Sequence, residues 1–245
     1  MFNRSPLYEK LLVPPLKLAI RGVEACLLAG MDRPDFLPAH DLPWAQRLEA
    51  SYREIRDELL RYREAGAALP AFSDISPEQY KISDRRWESV MLLAYGRPIG
   101  GYADAFTRTR GLLAGIPGLQ TAMFSVFQPG ARLSPHRGPY AGLLRYHLAL
   151  IVPPEPDQCA LVLNGKTRHW HEGESLLFDD TFEHEAWNRA TTERVVLFLD
   201  IERPLPPLRA ALNRLMIFLI GRSPFIGAVL RNAERHAERG GAAAQ

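Results

Sequence analysis

Apolar positions keep a helical period at both ends of the chain and break into short runs in the middle. Residues 15–29 predict an amphipathic helix, with Lys17, Arg21 and Glu24 on one stripe at i, i+4, i+7 and an apolar remainder. Residues 44–66 predict a second helix: Trp44, Leu48, Tyr52, Ile55, Leu59 and Tyr62 hold the 3.6 period, and Asp41 is placed to cap it. The segment GAALPAFSDISP, 66–77, reads as a linker from its Ala, Pro and Ser content.

From Trp87 the pattern changes. ESVMLLAYG reads as a strand and 103–114 as a short helix. LQTAMFSVF, LRYHLALIV, CALVL, ESLLFDD, HEAWN and RVVLFLDI follow as strand-length apolar runs. Asn164-Gly165 between CALVL and KTRHW is a hairpin signal, since both turn positions of a type I′ turn need positive φ. Short strands without intervening helices predict an antiparallel sandwich or jelly roll, not a parallel nucleotide-binding sheet. After Pro204 the helical period returns in PPLRAALNRLMIFLIG and SPFIGAVLRNAERHAE, both apolar and edged with arginine. Packing on the sandwich is the first reading for these helices, and contact with a membrane surface the second. The chain therefore divides into a helical region with linker (1–74), a β domain (75–205) and a helical tail (206–245).

Composition narrows the function classes. Thirty basic and 28 acidic residues leave a net charge of +2, too even for nucleic acid as the main partner, because a phosphate-binding surface needs a clear basic excess. Cys26 and Cys159 stand far apart with no CxxC pair, which speaks for a reducing, cytoplasmic setting and against a disulfide framework or a structural zinc site. The N-terminal apolar stretch is broken by two prolines and three charges, unlike a signal peptide. The longest apolar candidate near the C-terminus, LMIFLIG at 215–221, falls far short of the roughly 20 residues that cross a bilayer.

Two of the seven histidines have distinctive settings. His136 opens HRGP after a Pro-Gly turn and a proline, and His184 sits in FDDTFEHEAWN. Each alone reads more readily as structural; as a pair at strand ends they are a candidate iron pair. Non-haem iron sites use two histidines and one carboxylate, often as HxD/E…H. Here the third position of that motif is Gly138, which has no side chain to ligate. Either the site is not metallic, or water completes a two-histidine centre. Asp179, Asp180, Glu183 and Glu185 are nearby carboxylates, with structural roles preferred for them. Period-2 alternation puts Arg145 and His147 on one face of a strand. Taken singly, Arg145 reads as a strand-edge ion pair and Arg194 as a surface partner of Glu193 or Glu185. Cys159 reads as packing, and His169 and His171, flanking Trp170, as solvent-exposed.

The blocks FSVFQPGARLSPHRGPYAGLLRYHLALIVP, HEGESLLFDDTFEHEAWN and RVVLFLDIERP resemble the aspartyl/asparaginyl β-hydroxylases over roughly residues 75 to 205, at consistent spacing. The resemblance implies a mainly β protein with flanking helices around a double-stranded β-helix (jelly-roll, cupin-like) core. It implies an Fe(II)- and 2-oxoglutarate-dependent oxygenase that consumes O2 and releases succinate and CO2. In that family glycine commonly replaces the carboxylate of the triad. Carried over by position, His136 and His184 would bind iron. Arg194, ten residues after the second histidine, would take the distal carboxylate of 2-oxoglutarate, and Ser125 would donate to the same co-substrate. Arg145, Tyr146 and His147 would line its site, and Trp87 would touch it. Hydroxylation of an aspartyl- or asparaginyl-type side chain comes first. Hydroxylation of a secondary acyl chain of lipid A, as in a related bacterial branch, comes second, with contact to the inner membrane face through the terminal helices. A sandwich that binds a small acid without turnover is the non-enzymatic alternative.

Overall fold

A computed structural model describes residues 13–243. It begins with helix α1 (Val13–Leu28), then the two-residue strand β1 (Phe36–Leu37). The predicted second helix is two: α2 (Pro43–Ala50) and α3 (Tyr52–Glu64), parted at Ser51, whose φ of −103° and ψ of 10° leave the helical region. Asp41 does not cap; Leu42 holds the N-cap position without a side-chain bond, and Pro43 at the first turn fixes the start. The expected linker carries a short helix, α4 (Phe72–Ile75), because Phe72 and Ile75, three apart, both reach the core.

The β region comprises β2 (Trp87–Ala94), β3 (Arg97–Pro98), helix α5 (Thr107–Leu113), β4 (Leu119–Phe127), β5 (Arg132–His136), β6 (Leu143–Ile151), β7 (Cys159–Leu163), β8 (Lys166–Arg168), β9 (Ser175–Phe178), β10 (His184–Asn188) and β11 (Arg194–Glu202). All pairings are antiparallel. One sheet runs β1-β9-β6-β11-β4-β2-β3 and the other β5-β10-β7-β8, the two-sheet jelly-roll arrangement that the strand pattern predicts. The β7–β8 hairpin turns at Asn164 and Gly165, both with positive φ (50° and 76°), as the sequence signal requires.

The large sheet is buried on both faces. Its inner face meets the small sheet. Its outer face is covered by α2 and α3, whose Trp44, Leu48, Ile55 and Leu59 join the same apolar core as Tyr146, Leu148 and Leu197. Helices before residue 74 thus share one core with the strands, and β1 adds a strand at the β9 edge. The tail forms α6 (Pro207–Gly221) and α7 (Pro224–Ala243). A second apolar cluster, built from Leu27, Tyr140, Leu143 and Ile217, joins α1 and α6 to the strand β6 and the loop before it. No single described helix is long and apolar enough to cross a membrane; α6 and α7, bent by 62° at their junction, meet that length and composition only as a pair.

Candidate active site

Between the sheets lies a narrow slot. Trp87, Ser125, Phe127, Arg145, His147, Arg194 and Phe198 come from the large sheet, and Leu133, Leu161, His184 and Ala186 from the small one. The side-chain period of a strand explains the selection: Arg145 and His147 on β6, and Arg194 and Phe198 on β11, lie an even number of residues apart and project inward. Tyr146, one residue out of phase, is a correction to the expected site. It projects to the opposite face and packs edge-on against Trp44 with ring centroids 5.0 Å apart.

His136 and His184 meet where β5 pairs with β10, in direct register, with ring centroids 4.1 Å apart. Nδ1 of His136 lies 2.9 Å from the Ser134 carbonyl and Nδ1 of His184 3.0 Å from that of Phe182. Each carbonyl can only accept, so the proton of a neutral ring sits on Nδ1 and the lone pair on Nε2 stays free. Burial holds both rings in that neutral form: it lowers the His136 pKa, and it pushes His184 down to about 3 with help from His136 and Arg145. Two neutral imidazoles with free Nε2 atoms are the donor set a transition metal takes. Among the described residues no three His, Cys, Asp or Glu side chains form a ready-made metal cluster.

Gly138 explains why the carboxylate is not in the motif. A Cβ at this position would overlap the carboxylate of Asp180, which arrives from the β9–β10 loop instead. Gly138 N–H donates to the Asp180 carbonyl at 2.8 Å, fixing the approach. Arg145 Nη1 holds the Asp180 carboxylate at 2.8 Å and Nη2 reaches Asp200 at 3.0 Å. Arg145 therefore lines the slot with its charge already matched, so it positions Asp180 rather than presenting a free cation. Burial still raises the Asp180 pKa to about 6 against the pull of Arg145. The neighbouring Asp179 is structural, paired with Arg33 at 2.8 Å and Arg203 at 2.7 Å. Glu185 faces Arg132 at 3.4 Å, and Glu183 is exposed.

Arg194 is the opposite case. It is 2% exposed, yet no carboxylate pairs with it among the described residues, and its Nε and Nη1 have no hydrogen-bond partner. Glu193, its expected surface partner, pairs with Arg63 instead. The guanidinium lies over Phe127 and Trp170, 4.0 and 4.6 Å from their ring centroids, and beside the buried Cys159. Burial lowers its pKa to about 10. His147 sits nearby with both ring nitrogens buried and unpartnered, its pKa held well below the ordinary value by burial and by Arg194. Trp87 Nε1–H donates to Ser125 Oγ at 3.0 Å on the same wall. Trp170 is an addition to the expected site. β8 ends at Arg168, and the chain then turns inward to bury it, leaving His171 outside and His169 half-buried with Nδ1 3.1 Å from the Cys159 carbonyl.

Two antiparallel sheets with buried, unspent polar groups between them define a jelly-roll protein with a polar interior slot. A Cupin 2 conserved barrel domain protein from Salinispora arenicola is a structural neighbour at 11% identity, covering 54% of this chain and 87% of that one with a TM-score of 0.32. The sequence is more specific. The chain belongs to the aspartyl/asparaginyl beta-hydroxylase family, which it matches over residues 49–204. It is 42% identical over 205 residues to the ornithine lipid ester-linked acyl 2-hydroxylase of Rhizobium tropici, covering 83% of this chain and 73% of that protein. It is 31% identical over 163 residues to human aspartyl/asparaginyl beta-hydroxylase, covering 64% of this chain but only 21% of the human protein. The protein is thus a member of a hydroxylase family.

Proposed function

We propose that the protein is an Fe(II)- and 2-oxoglutarate-dependent oxygenase whose substrate is an acyl chain of a membrane lipid. The observation that carries the oxygenase reading is Arg194: a fully buried cation with unspent donors, in the same slot as His184, whose neutral ring meets that of His136 at 4.1 Å. A buried guanidinium without a counter-ion is costly, and a planar carboxylate relieves that cost with two parallel hydrogen bonds. His136 and His184 would hold the metal. Arg194 would bind the distal carboxylate of 2-oxoglutarate, with His147 and the Trp87–Ser125 pair lining its path. When bound, iron with 2-oxoglutarate and O2 supplies the oxidising power for an unactivated C–H bond. The chain's own residues would orient the co-substrate, keep water out with Phe127, Phe198 and Trp170, and hold the Asp180 carboxylate on Arg145. The slot is tight, about 30 Å³, so a five-carbon dicarboxylate enters only with side-chain rotation along its walls.

The acyl-chain reading rests on the Rhizobium relative, whose similarity extends beyond the 49–204 family region. The aspartyl/asparaginyl reading, supported by the human relative, is the second. Purified protein with Fe(II), ascorbate and 2-oxoglutarate is offered lipid extracts and Asp/Asn-containing peptides, and products are weighed by mass spectrometry. A one-oxygen gain on a lipid acyl chain, lost in His184→Ala together with iron binding, is the expected result. Retained iron and turnover in His184→Ala overturn the oxygenase reading, and oxygen on peptides alone overturns the lipid one.

A further inference from the structure

Among the described residues, five of the six large hydrophobic side chains that are strongly exposed, Leu18, Leu208, Leu215, Phe218 and Leu219, lie on α1 and α6, each more than half exposed. On α6 they form a continuous outer stripe with Ala211, at the i, i+3, i+7, i+10 spacing of one helix face. The inner face of α6, with Asn213 and Ile217, is already spent against the loop before β6. The helix is apolar on both sides, and one side has no partner among the described residues.

The charge pattern says what covers it. Residues 206–245 carry six arginines against two glutamates, and 1–28 carry four basic against two acidic residues. The span 29–205 is left with twenty basic against twenty-four acidic residues. The small positive charge of the chain is thus a basic excess at its two ends over an acidic middle. Arg214 and Arg222 emerge on the outer stripe itself. Arg222 stacks over Phe218 at 4.1 Å, and Arg214 is 65% exposed with Glu202, 3.9 Å away, as a distant counter-ion. Two copies meeting through this stripe would bring like charges together. A bilayer with anionic headgroups meets the apolar ridge with its acyl region and the arginines with its surface.

We propose that the outer face of the α1–α6 helix pair is a docking surface for an anionic lipid bilayer. The inference deepens the acyl-chain reading, because the same helix pair holds the loop that leaves His136. Glu24 on α1 accepts the Ala141 N–H at 2.8 Å. Asn213 on α6 accepts from the Tyr140 hydroxyl at 2.8 Å and donates to the Gly142 carbonyl at 2.9 Å. The bilayer-facing helices and the metal-binding strand end are thereby one connected unit.

The test uses the full chain without iron or 2-oxoglutarate, floated with vesicles of phosphatidylcholine alone or mixed with phosphatidylglycerol. The protein is expected to float with the mixed vesicles, less so as salt rises. Leu215→Gln with Phe218→Ser should weaken binding on the order of 100-fold, from the apolar surface no longer inserted, with an unchanged melting temperature because both side chains face outward. Arg214→Glu with Arg222→Glu should remove the preference for phosphatidylglycerol. Absence of flotation with either vesicle, flotation unaffected by both double variants, or a solution dimer that the Leu215→Gln/Phe218→Ser variant dissociates would each overturn the proposal. Because no turnover is read, failure here leaves the hydroxylase reading standing. Failure to hydroxylate lipid leaves vesicle binding standing.

Discussion

Replacing Arg194 by methionine separates what a residue does for the fold from what it does for a ligand. An ordinary fully buried side chain costs about 2–5 kcal/mol when truncated. Arg194 should not behave this way. Burial lowers its pKa from the ordinary arginine value to about 10, which corresponds to a charged form disfavoured by about 3 kcal/mol at 1.36 kcal/mol per pKa unit. Against this stand the contacts of the guanidinium with Phe127 and Trp170, worth about 1–2 kcal/mol together, and a small packing defect of about 1 kcal/mol from the shorter side chain. The balance lies near zero or slightly in favour of methionine.

Scanning calorimetry of the metal-free protein should therefore show Arg194→Met melting at the same temperature as the parent or a few degrees above it, at about 2–4 °C per kcal/mol for a chain of this size. Co-substrate binding should fail. Two charge-assisted hydrogen bonds at about 1.5–3 kcal/mol each amount to at least a 100-fold loss of 2-oxoglutarate affinity, read by titration calorimetry with Mn(II) in place of Fe(II). A variant that melts more than about 8 °C lower would show that Arg194 is a structural cation. One that binds 2-oxoglutarate within tenfold of the parent would show that the dicarboxylate goes elsewhere.

Asp180 should leave a pH signature in the metal-free protein. Its pKa rises from 3.8 to about 6 on folding, so the folded state binds the proton more tightly, and the carboxyl's contribution to stability falls as pH climbs from about 4 to 6 and is level above that. The stability difference between Asp180→Asn and the parent, from urea unfolding, should shift in favour of the variant by up to about 3 kcal/mol across that window; a difference flat with pH refutes the burial of a titrating carboxyl. Gly138→Asp, which writes the missing triad carboxylate back, should not raise iron affinity. Its Cβ overlaps the Asp180 carboxylate, and a cost of about 2–4 kcal/mol in unfolding is expected, relieved by adding Asp180→Gly; tighter iron binding in the single variant contradicts this. Asn213→Leu strands the buried Tyr140 hydroxyl and should cost about 1–3 kcal/mol, with Fe(II) affinity down about tenfold through the loop after His136. Unchanged iron affinity in a destabilised Asn213→Leu protein would show that the loop does not reach the site.

Local rules made part of this structure legible before any tertiary contact was known. The 164–165 turn, the strand runs and the shared face of Arg145 and His147 all follow from backbone period and turn chemistry. The same period turns Tyr146 away from the face that Arg145 and His147 share, so three consecutive residues cannot line one wall. Ser51 breaks a helix in the middle of an unbroken apolar period, because Trp44 to Tyr62 keep their spacing on both sides of the break. Trp170 hides between two histidines that read as surface, since nothing local says the chain turns inward after Arg168. Asp179 and Asp180 are indistinguishable in the sequence. They are told apart by partners far along the chain, Arg33 and Arg203 for one and Arg145 for the other. The resemblance singles out His136, His184 and Arg194; only the fold shows that Arg194 has no carboxylate partner among the described residues while Arg145 has two.

That contrast organises the slot. Two arginines enter it from neighbouring strands of one sheet, β6 and β11. The one beside the histidines is neutralised twice, by Asp180 and Asp200, and therefore exerts little net pull on an incoming anion. The one that is unpaired lies among Phe127, Trp170 and Cys159, with no carboxylate pairing with it among the described residues. A dicarboxylate entering such a field meets a single unmatched cation and takes its orientation from that asymmetry. Gly138 belongs to the same arrangement. By leaving room for Asp180 it lets Arg145 be neutralised from the β9–β10 loop, which keeps the charge at the histidine end low while the guanidinium at the other end stays unmatched.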